Sequence, residues 1–306
     1  MTAPAIGPDA TARISRLNSA SVRRVIEPDV DVQGDFTQDQ VVPDELLSIA
    51  DLGLDLTPEQ RARLSREELA SILRVGIEFE TVLMSGFAYQ LVNTEDITDP
   101  RVTYALHEIG EETRHSRLFI RAYEQLHPSQ RWLDNHPLVR LLRSRIIVVL
   151  MRRPATFDAF VLGGEEIPDL LQKLSAEHPD TDPYVRAINR YHRQEEARHL
   201  AFARTTVGEH HRAATWSDRF LLAHVVPHGI AGMFDFMVQP FVYETVGLPN
   251  WSTWRRVARS PRRLELRRQA LRSVLAALVD AGVFRPGRVP RAWRRVCGVD
   301  RTGQPA

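Results

Sequence analysis

Apolar positions recur every three to four residues along most of this 306-residue chain, and the alternation that would mark strands is scarce. The pattern predicts an all-α protein. Residues 1 to about 60 are the exception: periodic apolar positions are sparse there, and the stretch Glu27 to Glu45 is acidic and carries prolines, so it reads as an arm, partly irregular. Ser65-Arg-Glu-Glu68 has the form of a capping box and would open a helix to about Val92, with Leu69, Leu73, Leu83 and Phe87 apolar. Pro100 begins a second helix, to about Leu126. A third is expected near Leu138 to Arg152, a fourth from Pro154 to about Leu174, and a fifth from Pro183 to about Glu209. Helices near 217–246 and 261–281 follow. The expected organisation is an arm (1–60), a helical domain (61–250) and an arginine-rich helical extension (251–306) packed on the same domain.

Two short words stand out on the second and fifth helices: Glu112-Thr-Arg-His115 and Glu196-Ala-Arg-His199. Residues three apart on a helix share a face, so each word aims a carboxylate and an imidazole at one place. Two such words, with a lone glutamate from each of two further helices, are the ligand set of a carboxylate-bridged dinuclear metal site in a four-helix bundle. His192 lies four residues before Glu196 and seven before His199, on the same stripe. Imidazole with carboxylate suits divalent iron or manganese, and the lack of thiolates argues against a zinc knuckle. The competing reading of this segment is a solvated salt-bridge face made by Arg193, Glu195, Glu196 and Arg198, which leaves the repeated spacing unexplained.

Around the first word, Glu108 and Glu111 compete with Glu112, but only Glu112 has a histidine at +3; Glu108 reads as a surface acid or one behind the ligands. On the first helix Glu80 shares a stripe with Leu73, Gly76, Leu83 and Phe87, whereas Glu78 aligns with Ser71, Arg74 and Ser85. A carboxylate on an apolar stripe needs a metal or partner to neutralise it, which favours Glu80. On the fourth helix Gly163-Gly164-Glu165-Glu166 offers two acids that the local pattern does not separate, and Pro168 would distort the helix nearby. His224 and His228 at i, i+4 flank Pro227 and read as packing or surface histidines. His210-His211 reads as a cap or a solvent-facing pair beyond the fifth helix, and Arg114 and Arg198 as surface salt-bridge partners.

Composition narrows the classes. A net charge of +1 gives no global field for nucleic acid, and the 40 basic residues are all arginine except Lys173. The single Cys297 excludes an internal disulfide. The first residues lack the apolar core of a secretory signal, and no apolar run reaches the roughly 18 residues of a membrane span. A cytoplasmic protein without membrane contact is expected. No phosphate-binding glycine loop and no serine nucleophile elbow occurs.

The order Glu, Glu-x-x-His, Glu, His-x-x-x-Glu-x-x-His resembles the di-iron N-oxygenases typified by p-aminobenzoate N-oxygenase, in the ferritin-like superfamily, over roughly residues 65 to 245. That family carries a third histidine four residues before the final Glu-x-x-His, as His192 stands here. The resemblance implies a ferritin-like four-helix bundle with additional helices and seven metal ligands: Glu80, Glu112, His115, Glu165, His192, Glu196 and His199. An ungapped comparison back from His192 lands on Glu165 rather than Glu166. It further implies two iron ions (or a manganese–iron pair), dioxygen as co-substrate, a small-molecule substrate, an external electron donor, and oxidation of an arylamine nitrogen towards hydroxylamine or nitro. The rivals are C–H hydroxylation or desaturation on the same scaffold, a ferritin-like iron-binding or iron-oxidising protein without organic substrate, and a helical scaffold with a vestigial site. A homodimer is expected from the apolar residues of the later helices.

Overall fold

The computed structural model describes residues 7–23, 25–129, 131–132 and 137–305. Twelve α-helices and no strand occur among them: α1 (Pro8–Arg23), α2 (Pro28–Asp31), α3 (Pro58–Val92), α4 (Pro100–Leu126), α5 (Pro137–Met151), α6 (Pro154–Glu177), α7 (Pro183–Ala213), α8 (Trp216–His224), α9 (Val226–Phe236), α10 (Asn250–Arg259), α11 (Pro261–Asp280) and α12 (Arg291–Cys297). Proline sits in the first turn of α3, α4, α6 and α7, where its missing N–H costs nothing because that donor has no intrahelical partner anyway. Asp99 and Asp182 cap α4 and α7 by accepting from Arg101 N and Tyr184 N, each at 2.8 Å.

These four long helices form the bundle of an all-α, ferritin-like fold. α3 lies along α4 and α6 along α7, and the two pairs meet through α4–α7 and α3–α6 contacts. The α3–α6 seam is close because glycine allows it. A Cβ on Gly164 would lie 1.5 Å from the ring tip of Phe79, and one on Gly86 would lie 2.2 Å from Phe157. Pro168 does not end α6, which runs on to Glu177; it removes the N–H that would have reached the carbonyl of Gly164, one residue before Glu165.

Two elements differ from the sequence expectation. α3 begins at Pro58 rather than Ser65, and its capping box is Thr57–Gln60: Thr57 Oγ1 accepts from Gln60 N, and Gln60 Oε1 accepts from Thr57 N. Ser65 is already inside the helix; its hydroxyl donates to Ala62 O and accepts from Val41 N. Glu68, instead of capping, accepts from Ser48 N and Oγ, and the same Oγ lies 2.9 Å from Tyr243 Oη. The helix expected over 217–246 is divided into α8, α9 and a 3₁₀ turn, Pro240–Val246, because Pro227 and Pro240 interrupt the hydrogen-bond ladder.

The arm also holds more regular structure than its composition suggests, since α1 is a helix with Ile14 fully buried in the main core. Residues 37 and 38 are tied to α7 by Asp182, whose Oδ2 accepts from Thr37 N at 2.8 Å and Gln38 N at 3.0 Å. At the other end of the chain, α11 buries Leu271, Val274 and Leu278, and Trp293 of α12 is fully buried with its indole donating to Leu222 O at 2.8 Å. Arg263 is buried as well, its guanidinium 4.1 Å from the Phe234 ring centre and donating to Phe234 O. Among the described residues no single helix is long and apolar enough to cross a membrane.

Candidate metal centre

The bundle axis carries a dense buried cluster of acids and imidazoles. Glu80 on α3, Glu112 and His115 on α4, Glu165 on α6, and His192, Glu196 and His199 on α7 are each at most 3% exposed. They form two groups of potential metal donors, Glu80–His115–His192–Glu196 and Glu112–Glu165–Glu196–His199; within each group one donor atom per residue lies within 4.8 Å of the others. Glu196 belongs to both groups. The structure therefore brings together all seven side chains that the sequence singled out.

It also separates the alternatives. Glu166 turns from the cluster and pairs with Arg204, and Glu78 lies on the α3 surface 3.6 Å from Arg74. Glu111 is not among the clustered donors; it accepts from His199 Nε2 at 2.8 Å, leaving Nδ1 of that ring facing Glu196 at 2.9 Å. His192 is held the same way: Nδ1 contacts Gln172 Oε1 at 3.0 Å while Nε2 faces Glu80 at 3.2 Å. Such outer partners fix the tautomer and ring orientation of a ligating histidine. Gln172 is seven residues after Glu165 and thus on its face, a signal the sequence held; Glu111 reaches His199 across two helices, which no local spacing reveals.

The solvated salt-bridge reading of α7 does not hold. Glu195 is fully buried, and Arg198 and Arg114 are only 11% and 15% exposed. Arg198 pairs with Glu195 at 2.8 Å and Glu111 at 3.0 Å, and Arg114 reaches Glu195 at 3.2 Å. These arginines brace the histidine side of the cluster rather than the surface. Of the residues in that reading, only Arg193 behaves as expected, half-buried against Asp169.

Burial and the close approach of these groups pull their proton affinities in opposite directions. Burial would raise Glu196, but His199 and His192 hold it well below its usual range; burial and the adjacent Glu196 push Glu165 well above. Burial would lower His115, but Glu112 and Glu196 lift it to about 9, whereas burial takes His192 down to about 4. Glu111 resists burial through His199 and Arg198 and falls to about 2. Glu108, fully buried with neither oxygen hydrogen-bonded, is pushed by burial to about 8.

Does this set fit a pair of metal ions? Buried atoms left without a hydrogen-bond partner include Glu80 Oε2, Glu112 Oε1, Glu165 Oε1, Glu196 Oε1 and His115 Nε2, all within the cluster. Orphaned polar atoms at this density are costly unless something charged completes them. Four carboxylates, three imidazoles and no thiolate suit a di-metal site of hard or borderline divalent ions.

Other histidines behave differently. His224 is exposed against the Phe220 ring, 4.8 Å between centres, and His228 is exposed. His210 corrects the sequence reading: it lies inside α7, mostly buried, with Nδ1 2.7 Å from Asp158 Oδ2. Helix α7 runs a turn further than expected, which carries His210 back over α6.

The described family of p-aminobenzoate N-oxygenase AurF matches the chain over residues 7–282. Similar chains include uncharacterized proteins from two strains of Mycobacterium tuberculosis and one of Mycobacterium bovis. Each is 26% identical over 247 residues, which span 74% of this chain and 69% of the relative. With the match covering most of its length and this cluster at its centre, the chain belongs to the p-aminobenzoate N-oxygenase AurF family.

Proposed function

We propose that the protein is a non-haem di-iron oxygenase that uses dioxygen to oxidise a small organic molecule, with N-oxygenation of an arylamine as its reaction. The observation that carries this reading is the pair of buried donor groups sharing Glu196. One ion would be held by Glu80, His115, His192 and Glu196, and the second by Glu112, Glu165, Glu196 and His199. Two such ions supply paired electrons for activating dioxygen.

The chain's own residues do the rest. Glu111 and Gln172 orient His199 and His192. Leu83, Leu162 and Phe119 surround the cluster with apolar surface that excludes water, and the Phe119 ring lies 4.9 Å from that of His192. Oxidation to hydroxylamine and beyond consumes electrons that the chain does not contain, so a separate reductant is part of the proposal.

The test is iron content after expression with iron supplied, followed by dioxygen uptake with a panel of anilines and a chemical reductant. About two irons per chain and aniline-dependent formation of N-oxygenated product are expected. A chain that takes up no iron, or one zinc only, overturns the oxygenase reading. Uptake of iron with oxidation of the metal alone would favour an iron-oxidising protein.

A further inference from the structure

A single layer of side chains separates the donor cluster from one end of the bundle. A cavity of about 290 Å³ opens at that end, where α3 and α7 finish and α4 and α6 begin. Each bundle helix gives the layer one residue, three or four positions from a clustered donor: Leu83 from Glu80, Glu108 from Glu112, Leu162 from Glu165, and Phe202 from His199. All four are at most 7% exposed. Phe202 also lines the cavity, so the layer is one helical turn, roughly 5 Å, thick.

Glu108 is the one polar member of that layer. It is fully buried, and neither of its oxygens has a hydrogen-bond partner among the described residues, the seven donors included. A carboxyl kept in such a place costs folding free energy, and an apolar side chain would fit the layer without that cost. The groups whose charge bears on it are Tyr104 and Glu111 on its own helix, Asp158 on α6, and Glu196 and His199 on α7; α3 gives the layer only Leu83. Burial pushes the Glu108 carboxyl up to about 8, so it holds its proton at neutral pH. Two features continue the polar line outward. Tyr104, one turn before Glu108, is fully buried with its hydroxyl unpartnered and its ring stacked on Phe202 at 4.2 Å between centres. Asp158 lines the cavity, with His210 Nδ1 2.7 Å from its Oδ2.

We infer that Glu108 is the proton donor of the oxygenation: it gives a proton to the oxygen that leaves as water and regains one from the cavity side, through the Asp158–His210 pair. The inference rests on the oxygenase reading. Hydroxylation of an amine nitrogen balances as RNH2 + O2 + 2 e− + 2 H+ → RNHOH + H2O. The O–O bond breaks, an N–O bond forms, the electrons come from the separate reductant, and the added protons come from solvent. Leu83, Leu162 and Phe202 close the layer to solvent, so a proton crossing it needs a carrier, and within the layer Glu108 alone can hold one. An acid retained at a cost to folding is thereby given its use.

The test compares Glu108→Gln, which keeps the shape without the acid, and Glu108→Asp, which keeps the acid, with wild type, all as iron-loaded full-length protein. Iron content should match wild type in both variants, because Glu108 is not among the donors. In a single turnover of an aniline that wild type oxidises, Glu108→Gln is expected to form product roughly 10²-fold more slowly, the scale of a lost general acid, with aniline affinity changed less than about twofold and Glu108→Asp at least about tenfold faster than Glu108→Gln. Infrared difference spectra give a readout apart from turnover. Wild type should show the carbonyl stretch of an un-ionised carboxylic acid that Glu108→Gln lacks, and in D2O that band should shift within the mixing time. Loss of iron in Glu108→Gln, an unchanged turnover rate, no recovery in Glu108→Asp, or a carbonyl band that is absent or exchanges only over hours overturns the inference. Failure of the oxygenase reading shows in the wild-type chain, which would then oxidise no aniline and would take this inference with it; failure of the inference alone shows only in the variants.

Discussion

Glu111 accepts a hydrogen bond from His199 Nε2 at 2.8 Å, on the side of the ring opposite Glu196. Glu111 is itself held by Arg198 at 3.0 Å, so the imidazole is fixed through a chain of charged contacts from α4 to α7. Glu111→Ala is expected to weaken metal binding by roughly 10- to 100-fold, the usual effect of losing such a partner. Competition against a chelator of known affinity measures it. Unchanged affinity would show that packing alone orients the ring.

Neighbouring acids on α6 should behave in opposite ways. Glu165 faces Glu196 in the cluster, while Glu166 is buried against Arg204, away from the cluster. Glu165→Ala should reduce bound metal from about two ions per chain to about one or fewer, whereas Glu166→Ala should leave the content unchanged. Elemental analysis of the two purified variants decides between them, and a reversed pattern would place the wrong carboxylate at the site.

The last helix is an integral part of the core. Trp293 is fully buried and its indole donates to the carbonyl of Leu222. Trp293→Ala removes that bond and leaves a large cavity, so a loss of about 3–5 kcal/mol is expected in denaturant unfolding. Trp293→Phe keeps most of the volume and should lose less than half as much.

Stability should depend on pH through His210. Burial would lower this imidazole, but Asp158 at 2.7 Å outweighs it and the folded value is raised. A raised folded value means that the charged pair contributes fully below the unfolded histidine value of about 6.5 and that the contribution is lost as pH rises through the folded value. His210→Gln should therefore cost more stability at pH 6 than at pH 9. Urea midpoints of the two proteins at both pH values test this, and a gap that widens with pH would reverse the assignment.

Much of the bundle was legible because proline and the apolar period agree. Pro100, Pro154 and Pro183 mark helix starts in the sequence and in the structure alike. The errors have separate causes. Ser65-Arg-Glu-Glu68 and Thr57-Pro-Glu-Gln60 both have the capping-box form, and it is Pro58 at the first helical position that marks the earlier one as the start. The residues of the cluster were legible because i, i+3 and i, i+4 spacings are local. The contacts of Glu111, Arg114 and Arg198 were not, because each is made between helices whose relative rotation no single segment encodes. His210 was misplaced for a simpler reason: the polar run Glu209-His-His-Arg212 resembles a solvated helix end, yet α7 continues through it and Asp158 waits on α6.

The cavity of about 290 Å³ at the end of the bundle is walled in part by Phe87, Ala105, Asp158 and Thr206, each two helical turns from a clustered donor, and that offset has an evolutionary consequence. Phe87, Ala105, Asp158 and Thr206 can change without moving Glu80, Glu112, Glu165 or His199, because each pair shares only a helix face and not a contact shell. Substitutions at that end of the bundle can thus accumulate without disturbing the donor set, which makes the cavity wall, rather than the donors, the place to look for divergence among relatives only 26% identical.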